Sequence, residues 1–416
     1  MHVVERIAPA RLGRPFRWLL GSFWVSNLGD GFALAAGPLL VASETRDPRL
    51  VALAVVLQRL PWLCFGLLAG VVADRYDRRR VIVLVQVARA AVLAVLSATI
   101  AVDRVDITAV LVALFLLGTA ETFADTTAST LLPMIVEPQD LPIGNARIMA
   151  GIVTINQLAG PPVGAGLFAT GAVVPFVAQA GCMVGSALLF WRVVLPPHGV
   201  EKHARTHIRR DIAEGLRWLW HHAAIRTLAI TIVTFNVTFG AAWSVLVLYA
   251  IERLDAGEVG FGLLTTALAL GGLLGTGAYG WLTTRLSLGN LKRIGLIIET
   301  LTHLALALNT SLPIALVILF VFGAHAFVWG TTSTSVRQRA VPTELQGRVS
   351  SAYLLGVQAG LVAGGAIGGV IAGWWGVAAP FWFAFVGSGV LVVLIWGQLV
   401  HIAHADEEAQ LRPVAP

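Results

Sequence analysis

Long apolar runs alternate with short polar segments along the whole chain. A helix needs about 20 consecutive, mainly apolar residues to cross a bilayer. Twelve runs approach or exceed that length, and they predict twelve membrane-spanning α-helices. With boundaries good to a few residues, the runs are 17–41, 50–73, 80–102, 107–132, 142–169, 173–195, 224–250, 259–284, 291–309, 312–336, 347–373 and 377–401.

The longest polar connection separates the sixth run from the seventh. In its second half Ile208, Ile212, Leu216 and Leu219 recur at helical spacing among basic residues. This pattern predicts an amphipathic helix on the membrane surface. The first half is equally well explained as a solvated linker.

The two halves of the chain carry similar residues in the same order. Asn27 and Gly31 correspond to Asn236 and Gly240 at an offset of 209 residues. Other matches have offsets between 201 and 210 residues. Such order indicates an internal duplication. It predicts an N-terminal six-helix bundle at 1–195, a cytoplasmic linker at 196–223 and a C-terminal six-helix bundle at 224–416.

Composition and charge support a membrane location. Hydrophobic residues make up 57% of the chain, charged residues 12%, and mean hydropathy is +0.79. The net charge of +6 comes from Arg and Lys that concentrate on one predicted side of the membrane. This is the positive-inside rule, so it places both termini in the cytoplasm and argues against a nucleic-acid partner. Arg greatly outnumbers Lys, which indicates a GC-rich bacterial genome. We expect a multi-pass protein of the bacterial inner membrane.

Enzyme chemistry has no visible motif. Cys64 and Cys182 both fall in apolar runs, and neither a disulfide framework nor zinc-ligand spacing is present. Because no nucleotide-binding loop or nucleophile–base arrangement appears, we expect no catalytic residue, no metal and no cofactor. The first apolar run is too long for a signal peptide and is expected to remain uncleaved.

A charged turn follows the second run. The stretch GLLAGVVADRYDRRRVIVLV contains Gly70, Asp74, Arg75, Arg78 and Arg79. It resembles the signature of the major facilitator superfamily, an all-α fold of two pseudo-symmetric six-helix bundles. The resemblance implies a cytoplasmic gate, in which the Asp latches the two halves and the Gly permits close backbone approach. The alternative is a set of ordinary loop charges.

The fifth run is rich in Gly and Pro. Gly151, Gly160, Pro161 and Gly164 resemble a motif of drug–proton antiporters in that superfamily, with Ala165 in place of one Gly. Physically, the Pro kinks the helix and the glycines provide a smooth face. A plain helix-packing face is the alternative.

Four ionisable residues lie deep within runs that line the central cavity of the superfamily. A charged side chain at mid-bilayer costs at least ~2.5–3.5 kcal/mol, so such groups line cavities, pair or stay neutral. Asp30 and Glu121 are the first candidates for proton coupling, followed by His325 and Asp125.

Structural explanations compete with these roles. Arg89 could form an ion pair with Asp125, and Arg59 could pair with Asp30 or extend to the outer surface. Glu299 and its neighbour one turn on, His303, are better explained as a satisfied polar pair. Further polar and aromatic residues are candidates either for substrate contacts or for helix–helix packing. They are Asn27, Asn236, Trp243, Gln157, Gln358 and Trp329.

Three local stretches indicate a branch of the superfamily. Residues 129–148, 214–230 and 342–353 resemble the branch that contains the enterobactin exporter and macrolide-type efflux proteins. The resemblance implies a monomeric proton antiporter that exports amphipathic molecules and draws on the proton gradient. The fourth run lacks the Arg of the usual R-x-x-x-G relay, which shifts weight onto the acidic residues. The alternatives are a nutrient importer or facilitator, a lipid flippase, or a membrane protein without transport activity.

Overall fold

The structure is a computed structural model that describes residues 9–195, 208–342 and 345–397, and these residues are almost entirely helical. Two π-helical segments, Ile152–Ala159 and Tyr249–Arg253, and a few helices of three or four residues join the longer ones. The longer helices are α1 (Gly13–Glu44), α2 (Pro48–Arg75), α3 (Arg78–Ala101), α4 (Ile107–Ala128), α5 (Leu141–Gly151), α6 (Gly160–Thr170), α7 (Val174–Trp191), α8 (Ile208–His221), α9 (Ala223–Trp243), α10 (Gly257–Arg285), α11 (Leu288–Leu308), α12 (Leu312–Ala340), α13 (Gln346–Trp375) and α14 (Ala379–Ile395).

Nine helices in the described part of the chain are long and apolar enough to cross a bilayer. Three further predicted runs are also helical but differ in character. Helix α14 is shorter, α11 carries three charged residues, and the fifth run is divided by a π-helical segment. The structure is therefore that of a helical membrane protein, and the count of twelve spans stays a prediction.

Short polar side chains start several helices. Asp77 accepts a hydrogen bond from the Arg80 amide at 3.1 Å at the start of α3. Asp106 accepts one from the Ala109 amide at 2.8 Å and caps α4. Because the first amides of a helix lack intrahelical acceptors, these caps explain why the polar turns end where they do.

The chain forms two compact units. Unit 1 comprises residues 1–46, 57–202 and 256–266, and unit 2 comprises residues 47–56, 203–255 and 267–416. Two helices, α2 and α10, each contribute residues to both units. The predicted division into two bundles and a linker stays a prediction.

Unit 1 contains a close helix crossing built from glycine. A Cβ on Gly31 of α1 would lie 2.8 Å from the Asn156 carbonyl oxygen and 2.8 Å from the Gly160 Cα. Gly164, one turn further, meets the backbone of Phe32 in the same way. Since only hydrogen fits between these backbones, the glycines of the fifth run set the packing of α1 against α6.

Unit 2 repeats this crossing. A Cβ on Gly240 of α9 would lie 2.8 Å from the Leu361 carbonyl oxygen and 3.3 Å from the Gly365 amide nitrogen. Gly240 is the counterpart of Gly31 in the sequence repeat, so the duplication extends from sequence to a specific backbone contact.

The helix predicted in the polar connection forms as α8. Leu219 is buried against unit 2, whereas Leu216 and Trp220 are exposed. Glu214 pairs with Arg348 at 2.9 Å, and the backbone at Gly215 lies close to that of Arg348. The first half of the connection lies outside the described residues. Helix α8 is therefore docked on unit 2, and its contact with a membrane surface remains a prediction.

Candidate functional site

A cavity with a polar lining lies in unit 1 and has a volume of about 460 Å³. It is bounded by α1, α3, α4, α5, the π-helical segment that follows α5, and α7. Its polar lining comprises Ser22, Ser26, Asn27, Asp30, Gln86, Arg89, Glu121, Asp125, Ser129, Asn145, Asn156 and Ser186.

An ion pair between Arg89 and Asp30 lies in this cavity. The Arg side chain is 3% exposed and the Asp side chain 19% exposed. Arg89 Nη1 also donates to Gln86 Oε1 at 3.3 Å. The interpretation that Arg89 pairs with Asp125 is wrong, because the ion pair of Arg89 on α3 is with Asp30 on α1. Asp125 acts on it only through longer-range electrostatics.

Arg59 is not the partner of Asp30 either. Its side chain is exposed, and its electrostatic interaction is with Glu121. Of the two alternatives for Arg59, the structure therefore favours an exposed position over the pairing.

A hydrogen-bond network orients this ion pair. Gln86 Nε2 donates to Ser26 Oγ at 3.0 Å and to Ser186 Oγ at 3.3 Å. Ser22 Oγ donates to the Ser186 carbonyl at 2.9 Å, and Ser26 Oγ donates to Asp30 Oδ2 at 3.4 Å. The network ties α1, α3 and α7 together behind the guanidinium. Sequence analysis missed these residues, although a Gln and serines at helical spacing in apolar helices were an available signal.

Three carboxylates share the cavity with the guanidinium of Arg89. Glu121 and Asp125 lie one helical turn apart on α4 and line the same cavity as Asp30. Both interact electrostatically with Asp30 and Arg89. The structure thus brings three of the four proton-coupling candidates together. If all three carboxylates were ionised, the described lining would contain two more negative than positive charges.

The fifth run contributes to the cavity through its irregular backbone. Asn156 lies in the π-helical segment, lines the cavity and donates from Nδ2 to the Asn27 carbonyl at 3.3 Å. Such π-segments often occur at functional sites. Gly151 lies against the indole of Trp24, so each glycine of the motif contacts α1. Gln157 is in the same segment but does not line the cavity.

The charged turn after α2 lies away from the cavity. The exposed Asp74 is 3.8 Å from Arg78, whose Nη1 lies 2.9 Å from the Met134 sulfur. Arg79 bonds to the Trp191 carbonyl and lies over its ring, and Arg75 is exposed. These contacts hold the turn against unit 1.

The expected close approach at Gly70 is not observed. Within the described part of the chain, a Cβ on Gly70 would meet no atom within 4 Å. The gate role of the turn is not tested by this observation and stays a prediction.

The fourth proton-coupling candidate lies in unit 2. His325 Nε2 is 3.5 Å from Glu299 Oε2, and Glu299 Oε1 is 2.9 Å from His303 Nε2. The predicted pair of Glu299 and His303 is therefore present, with His325 as an additional neighbour that sequence analysis did not assign to it. Trp329 packs against His325 and under the buried Lys292.

The other cavity candidates in unit 2 are placed by helix packing. Asn236 is buried and donates to the Ile232 carbonyl of its own helix at 2.7 Å. Trp243 stacks on Phe239 and borders a small cavity of about 20 Å³. Gln358 is partly buried on α13 and does not line that cavity.

Comparison with known proteins shows similarity to membrane transporters. The family described as "Transmembrane secretion effector" matches residues 5–414. The multidrug efflux pump Tap of Mycolicibacterium fortuitum is 28% identical over 394 residues, covering 92% of this chain and 94% of the relative.

Solved structures show the same fold at low identity. A point mutant of the nucleoside transporter NupG has a TM-score of 0.73 at 11% identity, over 93% of this chain and 100% of its own. A bacterial homologue of the human lysosomal transporter Spinster has a TM-score of 0.72 at 12% identity, over 97% and 100%. With its membrane helices, its duplicated glycine crossing and a family match over nearly its full length, the chain belongs to the transmembrane secretion effector family of the major facilitator superfamily.

Proposed function

We propose that this protein exports amphipathic small molecules, such as drugs, antibiotics, siderophores or other secondary metabolites, in exchange for protons. It does so by alternating access, as a monomer of twelve spans in two bundles. It lies in the bacterial inner membrane with both termini in the cytoplasm. One observation carries the proposal, namely three carboxylates around the Arg89 guanidinium in a cavity within membrane helices. The similarity to the Tap pump supports the direction of transport.

The chemistry of the exchange follows from charge. Asp30 is paired with Arg89, whereas no cation in the described part of the chain lies within ion-pair distance of Glu121 or Asp125. A surplus negative charge in a bilayer is costly, so these two carboxylates are neutralised either by protons or by a cationic part of the substrate. Since both compete for the same oxygens, binding of one favours release of the other. Glu121 and Asp125 are thus the proton-exchanging groups. The ion pair of Asp30 with Arg89 provides the local electric field at these two carboxylates.

The remaining residues have supporting roles in this proposal. Asn27 and Asn156 present amides to the substrate at the edge of the cavity. The charged turn with Asp74 and Arg78 acts as the cytoplasmic gate, and the glycines of the fifth run let α1 and α6 slide past each other without side-chain collisions.

Dye accumulation in an efflux-deficient bacterial host tests the proposal. Cells with the parent protein should accumulate less of a lipophilic cationic dye than vector cells, and an uncoupler should remove the difference. Glu121→Gln and Asp125→Asn should restore accumulation towards the vector level. Glu137→Gln, in an exposed polar turn, is the matched control and should behave like the parent.

Two results would count against the proposal. Equal accumulation by parent and vector cells across a broad compound panel would exclude multidrug efflux. Export that persists undiminished with the uncoupler would exclude coupling to protons.

A further inference from the structure

Unit 2 contains a second cluster of titratable groups, remote from the cavity of unit 1 in sequence. Glu299 and His303 lie one turn apart on α11, and His325 approaches from α12. All three residues are buried, with exposures of 1%, 2% and 7% respectively. The mechanism proposed above makes no use of them.

The carboxylate of Glu299 lies between the two imidazoles. Its Oε1 is 2.9 Å from Nε2 of His303, and its Oε2 is 3.5 Å from Nε2 of His325. The second contact is an ion-pair distance without a hydrogen bond. It leaves Glu299 Oε2 and His325 Nε2 as buried atoms that have no hydrogen-bond partner in the described part of the chain.

Aromatic side chains pack against this cluster. Phe322 packs against both imidazoles, with ring centroids 6.4 Å from His303 and 6.0 Å from His325. Phe239 and Trp243 line the small cavity beside His303. Because these aromatic neighbours carry no charge, they screen a net charge on the cluster poorly.

Other titratable groups near the two ends of α11 have hydrogen-bond partners of their own. Lys292 is seven residues before Glu299 on α11, about 10 Å along the helix, and bonds to the Trp329 carbonyl and to Ser333. Tyr249 and Arg253 bond to carbonyls at the opposite end of α11. The side chains of α9 and α14 that line the adjoining cavity are not titratable.

The net charge of the cluster depends on whether it binds a proton. With Glu299 ionised and both imidazoles neutral, it carries one negative charge in a buried position. One added proton, on an imidazole or on the carboxylate, makes it neutral, and the two imidazoles give that proton a place on either side of the carboxylate. Histidine exchanges protons near neutral pH more readily than other side chains.

We propose that Glu299, His303 and His325 form a proton-binding site in unit 2 that takes up and releases one proton in the physiological pH range. The contact between His325 and Glu299 closes into a hydrogen-bonded ion pair when the proton is held and reopens when it leaves. As a second proton carried during export, the site rests on the function proposed above. As a proton-binding site, it is independent of that function.

Trp329 reports the state of the cluster. Its ring lies 5.9 Å from that of His325 at an angle of 70°. A protonated imidazole quenches indole emission more strongly than a neutral one, so the emission of Trp329 should follow the charge on His325. Subtracting the spectrum of Trp329→Phe from that of the parent isolates this contribution from the other tryptophans.

The experiment is a titration of the purified full-length protein in detergent from about pH 5 to about pH 8. The Trp329 contribution should fall in a single transition as the pH is lowered. Glu299→Gln and His325→Gln should each abolish the transition. A second pair serves as the matched control. His222 stacks on Trp218 at 4.9 Å, and the Trp218 contribution at each pH should be the same in Glu299→Gln as in the parent.

Two results would overturn the proposal. One is a Trp329 contribution that stays flat across this range. The other is a transition that survives in either folded variant, which would locate the proton elsewhere. Because the titration needs no substrate or gradient, a failure of export in cells leaves its outcome unaffected.

Discussion

At the scale of single residues, one buried group can serve several partners. Arg89 is the clearest case, because one guanidinium serves an ion pair with Asp30 and the field of two further carboxylates. Gln86 and the serines behind it hold the guanidinium in place. Removing Arg89 should therefore lower the free energy of unfolding more than removing any single carboxylate.

The free energy of unfolding of substituted proteins tests whether Arg89 matters more than a single carboxylate. Arg89→Gln removes the cation from the described lining of the cavity and should lower the free energy of unfolding by about 3–5 kcal/mol, the usual cost of breaking a buried pair. Adding Asp30→Asn should recover part of this loss, because it removes one of the stranded charges. Thermal unfolding in detergent measures both effects.

The exposed Arg104 provides a control for these substitutions. Arg104→Gln should change stability by less than about 0.5 kcal/mol. Additive losses for the two cavity substitutions would contradict an energetic coupling of Arg89 with Asp30.

At the scale of helices, small residues decide which faces meet. Gly164 abuts the Phe32 backbone, whereas Gly166, two residues on in the same helix, has open space beside it. Both lie in the fifth run, but only Gly164 belongs to the motif predicted from the sequence. The contact with α1 assigns the packing role to Gly164.

A matched pair of substitutions tests this assignment. Gly164→Ala should destabilise the protein by about 1–3 kcal/mol through overpacking against α1. Gly166→Ala should be neutral or stabilise the helix by about 0.5–1 kcal/mol, since alanine has the better helix propensity. Unfolding temperatures of the two purified variants give the comparison. Equal losses would show that glycine flexibility, rather than close approach, matters there.

At the scale of the whole molecule, duplication and charge define the organisation. The crossing at Gly31 recurs at Gly240, and the family match covers residues 5–414. Basic residues lie mainly on one predicted side of the membrane, and the positive-inside rule therefore predicts cytoplasmic termini.

Cysteine labelling tests that orientation. The test uses a background with Cys64 and Cys182 replaced by Ser. Tyr76 is exposed directly after α2, and Arg104 is exposed in the turn before α4, so each can be replaced by Cys. A membrane-impermeant maleimide should label Arg104→Cys in spheroplasts and Tyr76→Cys only after permeabilisation. The reverse pattern would place the termini outside the cytoplasm.

The sequence alone determined the helical membrane fold, the repeat along the chain and the position of Asp30, Glu121 and Asp125 inside apolar runs. These features depend on local hydrophobicity and on order along the chain, which are readable without knowing any contact. Which groups pair was decided by tertiary structure. Arg89 reaches Asp30 rather than Asp125, and His325 joins Glu299, because helix crossings set by glycines and π-segments determine which faces oppose one another. The periodicity of apolar residues predicts which face of one helix is buried. Which side chains pair depends on the rotation and depth of two helices relative to each other.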